Sequence, residues 1–218
     1  MFRSSFIEDL NVEILKIYEQ IERKARLFKQ RTGISCLDNC GECCSKGRVR
    51  MTPLEFIPLA LELCRRRELH KYIQLVTEGE DDLCVFYRPL ATDMRSGSCA
   101  FYEYRAATCR LYGFGFKRDK YGQLEPVMCE YLKERFLRSP HARASASLLL
   151  DYDPIMIRLV SLSPSLGIHR YPPNRALSVA LEKVGLLAFL NSAHYRNEDC
   201  TQDIKYCQSE KEDIKMAS

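Results

Sequence analysis

The chain has 218 residues, 46% of them hydrophobic, which is enough to bury a core and excludes disorder as the reading of the whole. A net charge of +4 is too small to indicate a nucleic-acid or anionic-membrane partner, and neither is expected. No apolar run approaches the roughly 20 residues that cross a bilayer, and Glu8 and Asp9 fall where a secretory leader needs unbroken apolar sequence. A cytoplasmic, reducing location is therefore expected, where the eleven cysteines stay free unless something other than oxidation holds them.

From Ser5 to about Lys29, Phe6, Leu10, Ile14, Ile17, Ile21 and Phe28 recur between charged residues, the stripe of an amphipathic helix. Ser5 and Glu8 read as its capping box, and Gly33 closes it. The stretch CLDNCGECC follows, placing Cys36, Cys40, Cys43 and Cys44 among the turn-forming residues Asp38, Asn39 and Gly41. Thr52, Pro53 and Glu55 mark a second helix start, with the helix running through Phe56, Leu59 and Leu63 to about Arg67. A shorter helix is predicted from His70 to Glu78, followed by the acidic turn EGEDD.

Between Leu83 and Gln123, runs such as CVFYRPL and CAFYEY, separated by RSGS and RDKYGQ, suggest short strands or irregular loops. Helices return at Tyr131 to Arg138, Arg143 to about Asp151, Pro154 to Leu162 and Arg175 to Leu190. The segment PSLGIHRYPPN is a connector, because Pro172 and Pro173 cannot continue a helix. The fold class expected is mainly α, with an irregular, cysteine-rich metal-binding middle region and a few short strands. Its divisions are an N-terminal helix (1–30), a cysteine-cluster domain (31–138), a helical extension (139–191) and a polar tail (192–218).

Eight cysteines lie between residues 36 and 129: the four above and Cys84, Cys99, Cys109 and Cys129, with His70 the one histidine in that interval. A site drawn from them is sulfur-only, and thiolates favour zinc, copper(I) or iron-sulfur clusters over magnesium or calcium. Cys40 and Cys43 have the spacing that lets one turn present two sulfurs to one metal. Cys43 and Cys44 are neighbours whose side chains ordinarily diverge, so one of them serves a second metal atom, a second site or a structural role. Bound metal cancels the mutual repulsion of the thiolates and contributes on the order of 10 kcal/mol to folding, so the middle third is expected to lose order without it. By contrast, Cys64 reads as a small apolar core residue on the face of Phe56 and Leu63, and Cys200 and Cys207 as idle thiols.

The ordered set CGECC, MTPLEF, CVFY, CAFYEYRAATCRLYGF and Cys129 resembles the YkgJ-type cysteine-cluster family, also described as the CxxCxxCC zinc- or iron-chelating domain. The resemblance covers roughly residues 30 to 135. It implies that the ligands are Cys36, Cys40, Cys43, Cys44, Cys84, Cys99, Cys109 and Cys129, with Tyr102, Arg105 and Arg110 as neighbours of the site. Two departures from the family pattern are a Cys-x3-Cys first gap and Ala106 where a proline often stands. Arg105 and Arg110 are then candidates to hydrogen-bond thiolates, and the surrounding tyrosines and phenylalanines to shield them from water.

Cys36-x3-Cys40-x2-Cys43 also matches the spacing of radical S-adenosylmethionine enzymes, whose partial barrel alternates strands with helices. The helices and aromatic runs after Cys44 do not follow that alternation. The function expected is metal binding, by an iron-sulfur cluster of the 4Fe-4S type first and by Zn2+ as the alternative, in a redox, metal-handling or structural role with a protein redox partner in the first case.

Overall fold

The computed structural model describes residues 6–37, 40–45, 49–78, 83–90, 93–140 and 150–190. Helix α1 spans Phe6–Thr32 and buries Ile7, Leu10, Ile14, Ile17, Tyr18, Ile21, Ala25 and Phe28. Its ends suit the helix dipole, with Glu8 and Asp9 in the first turn and Lys29 and Arg31 in the last. The stripe begins one residue later than periodicity suggests: Phe6 is exposed and Ile7 is buried. Gly33 ends the helix with φ +66°, its N–H returning to the Lys29 carbonyl, a conformation that glycine adopts without a Cβ penalty. Ser5, read as the cap, lies outside the described residues.

A four-residue α2 (Glu42–Ser45) carries the adjacent cysteines. Pro53–Phe56 forms a 3-10 turn that runs into α3 (Ile57–Arg65), which ends two residues short of the expected Arg67. Arg67 itself takes φ +59° to turn the chain into α4 (Leu69–Glu78). Residues 79–82, most of the acidic turn, lie outside the described residues.

Strands β1 (Tyr87–Leu90) and β2 (Asp93–Cys99) form an antiparallel hairpin in which Tyr87 faces Cys99. RSGS, read above as a separator, lies inside β2, because hairpin pairing supplies the hydrogen bonds that a polar, glycine-containing run does not announce. CAFYEY is not a strand: after Cys99 the chain closes a 3-10 turn at Tyr102–Tyr104 and enters α5 (Ala107–Leu111). RDKYGQ is the loop between β3 (Gly115–Arg118) and β4 (Leu124–Val127), which pair antiparallel. β5 (Leu150–Asp151) adds to β3 in parallel, giving the order β4-β3-β5.

Helix α6 (Glu130–Arg138), α7 (Tyr152–Leu162), the short α8 (Pro164–Gly167) and α9 (Pro173–Leu190) complete the described chain. The helix expected over 143–151 lies mostly outside the described residues, and its last two residues are strand β5. The connector PSLGIHRYPPN is ordered: it contains α8, Tyr171 exchanges both backbone hydrogen bonds with Met51 (3.0 and 2.9 Å), and Pro173 opens α9. Proline breaks a helix interior but suits its first turn, where the N–H has no partner to lose.

One hydrophobic core runs from α1 to α9. α9 packs on the 3-10 turn, α3 and α4, while α1 packs on α3, α5 and α7. The class is thus mainly α, with a few short strands, four of the five described lying in the cysteine-rich middle. Among the described residues, no helix is long and apolar enough to cross a membrane.

Candidate metal centre

Several local devices bring the eight cysteines to the site. Cys36 follows the glycine stop of α1. Cys40 forms an antiparallel backbone bridge with Ser96 of β2, which docks the cluster loop on the hairpin. The tightness of that docking explains Gly41: a Cβ there would lie 2.1 Å from the Tyr87 hydroxyl, and one at Gly97 would lie 2.5 Å from the same ring. The buried Tyr87 ring is therefore clasped between two glycines. α2 then presents Cys43 and Cys44 with their sulfurs 3.9 Å apart. The expected divergence of these neighbours is not observed.

Cys84 precedes β1 in a turn closed by the Tyr87 N–H donating to the Cys84 carbonyl (2.8 Å). Its flanks are fixed from far away: Asn174 of α9 accepts from the Val85 N–H (2.9 Å) and donates to the Leu83 carbonyl (2.7 Å). Cys99 ends β2 opposite Tyr87. Cys129 caps α6, its carbonyl accepting from the Lys133 N–H.

Cys109 rides on α5, and the start of α5 is held by Glu55. This carboxylate is fully buried, accepting from the Thr52 N–H (2.8 Å) and hydroxyl (3.2 Å) at Oε1 and from the Thr108 N–H (2.6 Å) at Oε2. The sequence marks Glu55 as a local cap. In the fold it caps its own turn and also a segment 53 residues further along the chain.

All eight cysteines line one cavity of about 550 Å³. All eight are free thiols. Cys36 is exposed, while the other seven are half-buried, with accessible surface turned toward the cavity. Met51, Phe56, Leu59, Phe86, Phe101 and Phe114 form apolar wall, which limits water access as the aromatic runs suggest. Among the described residues, no three Cys, His, Asp or Glu side chains stand close enough together to hold a metal ion without rearrangement. The cysteines thus share a cavity rather than a single point.

Burial, a neighbouring hydrogen bond and neighbouring thiols raise Cys36, Cys43, Cys84, Cys99 and Cys109 above the ordinary thiol value. Burial, with Cys40, Cys43 and Cys129 adding to it, pushes Cys36 up to about 11. Burial, reinforced by Cys99 and Cys43, pushes Cys84 up to about 11. Cys99 is raised chiefly by burial, and Cys109 is raised well above the ordinary thiol value by burial and then by Cys84, Cys43 and Cys99. The Cys44 hydrogen bond, followed by burial, raises Cys43 strongly. A cation in the cavity would reverse each of these effects, since thiolate is the ligand form.

Arg105, Arg110 and Tyr102 do border the cavity, as the resemblance implies. The arginines, however, spend their hydrogen bonds on protein oxygen. Arg105 Nη2 and Arg110 Nη1 both donate to Glu22 Oε1 on α1 (2.6 and 2.7 Å), and Arg110 also donates to the carbonyls of Arg105 and Glu103. Burial pushes the Glu22 carboxyl up, but the hydrogen bond and charge of Arg105, joined by Arg110, outweigh it and hold the carboxyl below its ordinary value. Arg105 lies over the Tyr102 ring at 3.8 Å, and its Nε–H is buried with no hydrogen-bond partner. An orphaned guanidinium donor beside thiols is a fit for an anionic sulfur ligand. The donor set fits a thiophilic metal likewise: it contains eight thiols and no histidine.

Glu22 and Asn174 carry no mark in the sequence. Glu22 reads as one more charge on the polar face of α1, and no local pattern around Asn174 points to Cys84. Cys64 is buried as expected but is disulfide-bonded, so the expectation of a free thiol is corrected there. Cys200 and Cys207 lie outside the described residues.

A mainly helical chain that folds a hairpin and two short helices around a thiol-lined cavity defines a cysteine-cluster metal-binding domain. Residues 35–130 match the protein-family model CxxCxxCC, "Putative zinc- or iron-chelating domain", and this stretch is a domain of that family. No curated protein and no solved structure matches the chain.

Proposed function

We propose that residues 31–138 form a metal-binding unit whose ligands are drawn from the eight cavity cysteines, and that the metal is held as an iron-sulfur cluster of the 4Fe-4S type. Helix 1–30 and the extension 139–191 serve as its scaffold, through Glu22 and Asn174 respectively. The observation that carries this reading is the convergence of every cysteine between residues 36 and 129, save the disulfide-bonded Cys64, on one cavity. The adjacent pair Cys43 and Cys44 and the apolar, aromatic wall favour a polynuclear centre over a lone ion. When bound, such a cluster supplies one-electron redox chemistry or rigid cross-linking of the loops. The chain's own residues exclude water, position the thiols and, through Arg105 and Lys29 at the cavity wall, offset their negative charge.

Zinc is the second reading, favoured by one distance. The Cys43–Cys44 sulfur separation of 3.9 Å is close to the edge of about 3.8 Å that Zn–S bonds of about 2.3 Å give in a tetrahedral site. Anaerobic purification followed by metal and sulfide analysis and an absorption spectrum decides between them. Iron with acid-labile sulfide and a broad visible band is expected. Stoichiometric zinc without colour moves the assignment to a structural zinc module, and protein that retains no metal ends both readings. Reductive cleavage of S-adenosylmethionine by the reduced protein would replace them with the radical-enzyme reading.

A further inference from the structure

Two guanidinium groups reach the cavity wall, and their hydrogen bonds set them apart. Arg110 commits each of its nitrogens to protein oxygen: Nε donates to the Arg105 carbonyl (2.8 Å), Nη1 to Glu22 Oε1 (2.7 Å) and Nη2 to the Glu103 carbonyl. Arg105 commits Nη2 to the same Glu22 oxygen (2.6 Å), and its guanidinium carbon lies 3.8 Å from the centre of the Tyr102 ring. Its Nε–H is buried and has no partner among the described residues. Glu22 and Tyr102 thus hold the group from two sides. Because a guanidinium is a rigid planar fork, fixing Nη2 and the ring contact also fixes the direction of the Nε–H. A buried N–H left unpaired is rare and calls for an acceptor. The wall that Arg105 borders carries eight thiols. A protonated thiol is a weak acceptor, whereas a metal-bound thiolate carries the charge that strengthens a guanidinium hydrogen bond.

We propose that Arg105 is a positioning residue of the metal centre: its Nε–H donates to a metal-bound thiolate, in an orientation set by Glu22, while Arg110 makes no such bond and holds the surrounding turn. This rests on the metal-binding reading above and adds direction to what was there only an offset of charge. A counter-charge acts from any angle, but a hydrogen bond selects one geometry of the sulfur it meets. The bond also ties α1 to the loaded cavity, since Glu22, which aims Arg105, stands 83 residues before it in the chain.

The test is 1H–15N correlation spectroscopy of the arginine Nε–H groups in the reduced full chain, titrated anaerobically with Zn2+ alone. Zn2+ is diamagnetic and brings no sulfide, so thiolate is the one sulfur anion that its binding creates. The Arg105 and Arg110 signals are assigned through side-chain to backbone correlations, so this readout needs no substitution. On Zn2+ binding the Arg105 Nε–H is expected to move downfield and to exchange more slowly with solvent, while the Arg110 Nε–H, already bonded to a carbonyl, stays in place. Arg105→Lys keeps the positive charge and loses the fixed N–H. Its Zn2+ affinity, measured by competition with a chelator on protein whose far-UV circular dichroism matches the parent, should fall about 10–100-fold. An unmoved Arg105 Nε–H in the Zn2+-bound chain, or a folded Arg105→Lys variant that binds as tightly as the parent, overturns the hydrogen bond and leaves the metal reading intact. If Arg105→Lys misfolds, the spectrum of the unsubstituted chain decides alone. No Zn2+ bound by the unsubstituted chain overturns both.

Discussion

Glu55 offers a direct measurement of how the fold holds the centre, because one buried side chain joins the segment before α3 to the segment that carries Cys109. In Glu55→Gln the amide keeps one acceptor oxygen and turns the other position into a donor. Whichever way it is flipped, either the Thr52 N–H or the Thr108 N–H loses its partner. An unsatisfied buried donor costs about 1–3 kcal/mol. The surviving bond also weakens by roughly 1 kcal/mol on losing its charge, partly offset because a neutral amide is cheaper to bury than a carboxylate. A loss of about 2 kcal/mol is therefore expected for Gln, and about 4 kcal/mol for Ala, which orphans both N–H groups and leaves a void. The chain has no tryptophan, so urea unfolding of the full chain is best followed by far-UV circular dichroism. Metal content, measured in parallel, should fall in both variants as α5 loses its anchor. A Gln variant within about 0.5 kcal/mol of the parent, a shift typical of an uninvolved surface residue, would refute the reasoning.

Gly41→Ala drives a Cβ into Tyr87 and is expected to cost about 1–3 kcal/mol through overpacking. Combining it with Tyr87→Leu should be less costly than the sum of the two changes, and strict additivity in a double-mutant cycle would remove the clasp from the account. Asn174→Ala should cost about 2 kcal/mol by leaving the Val85 N–H and Leu83 carbonyl unpaired, with faster amide exchange at Val85 as the local signature. For Glu22, whose carboxyl is held below its ordinary value, the stabilisation is complete above about pH 4.3 and is lost as pH falls through the lower folded value. Glu22→Gln should thus be less stable than the parent at neutral pH, with the two curves converging in acid; a constant offset would contradict the pairing. Because burial pushes Cys36 and Cys84 up to about 11 in the metal-free chain, each of these two thiols should release about one proton on coordinating Zn2+ at pH 7. Proton release measured in weak buffer checks this, and little or none would mean that those thiols are already ionised or are not ligands.

Local chemistry in the sequence determined a good deal. The stripe of α1, the Thr52-Pro53-Glu55 start, the loop at RDKYGQ and the density of cysteines in CLDNCGECC are each set by near neighbours, so periodicity, capping and turn residues report them. What no window of residues contains is the pairing of distant segments. Hairpin partners made a strand of RSGS, and a backbone bridge to Met51 ordered the connector around Tyr171. Glu22, Glu55 and Asn174 acquire their roles from partners 83, 53 and 89 residues away. Thiol count and spacing belong to the chain, whereas which sulfurs face one another across the cavity is decided by packing, because a side chain's neighbours in a closed core are set by how helices and hairpin dock.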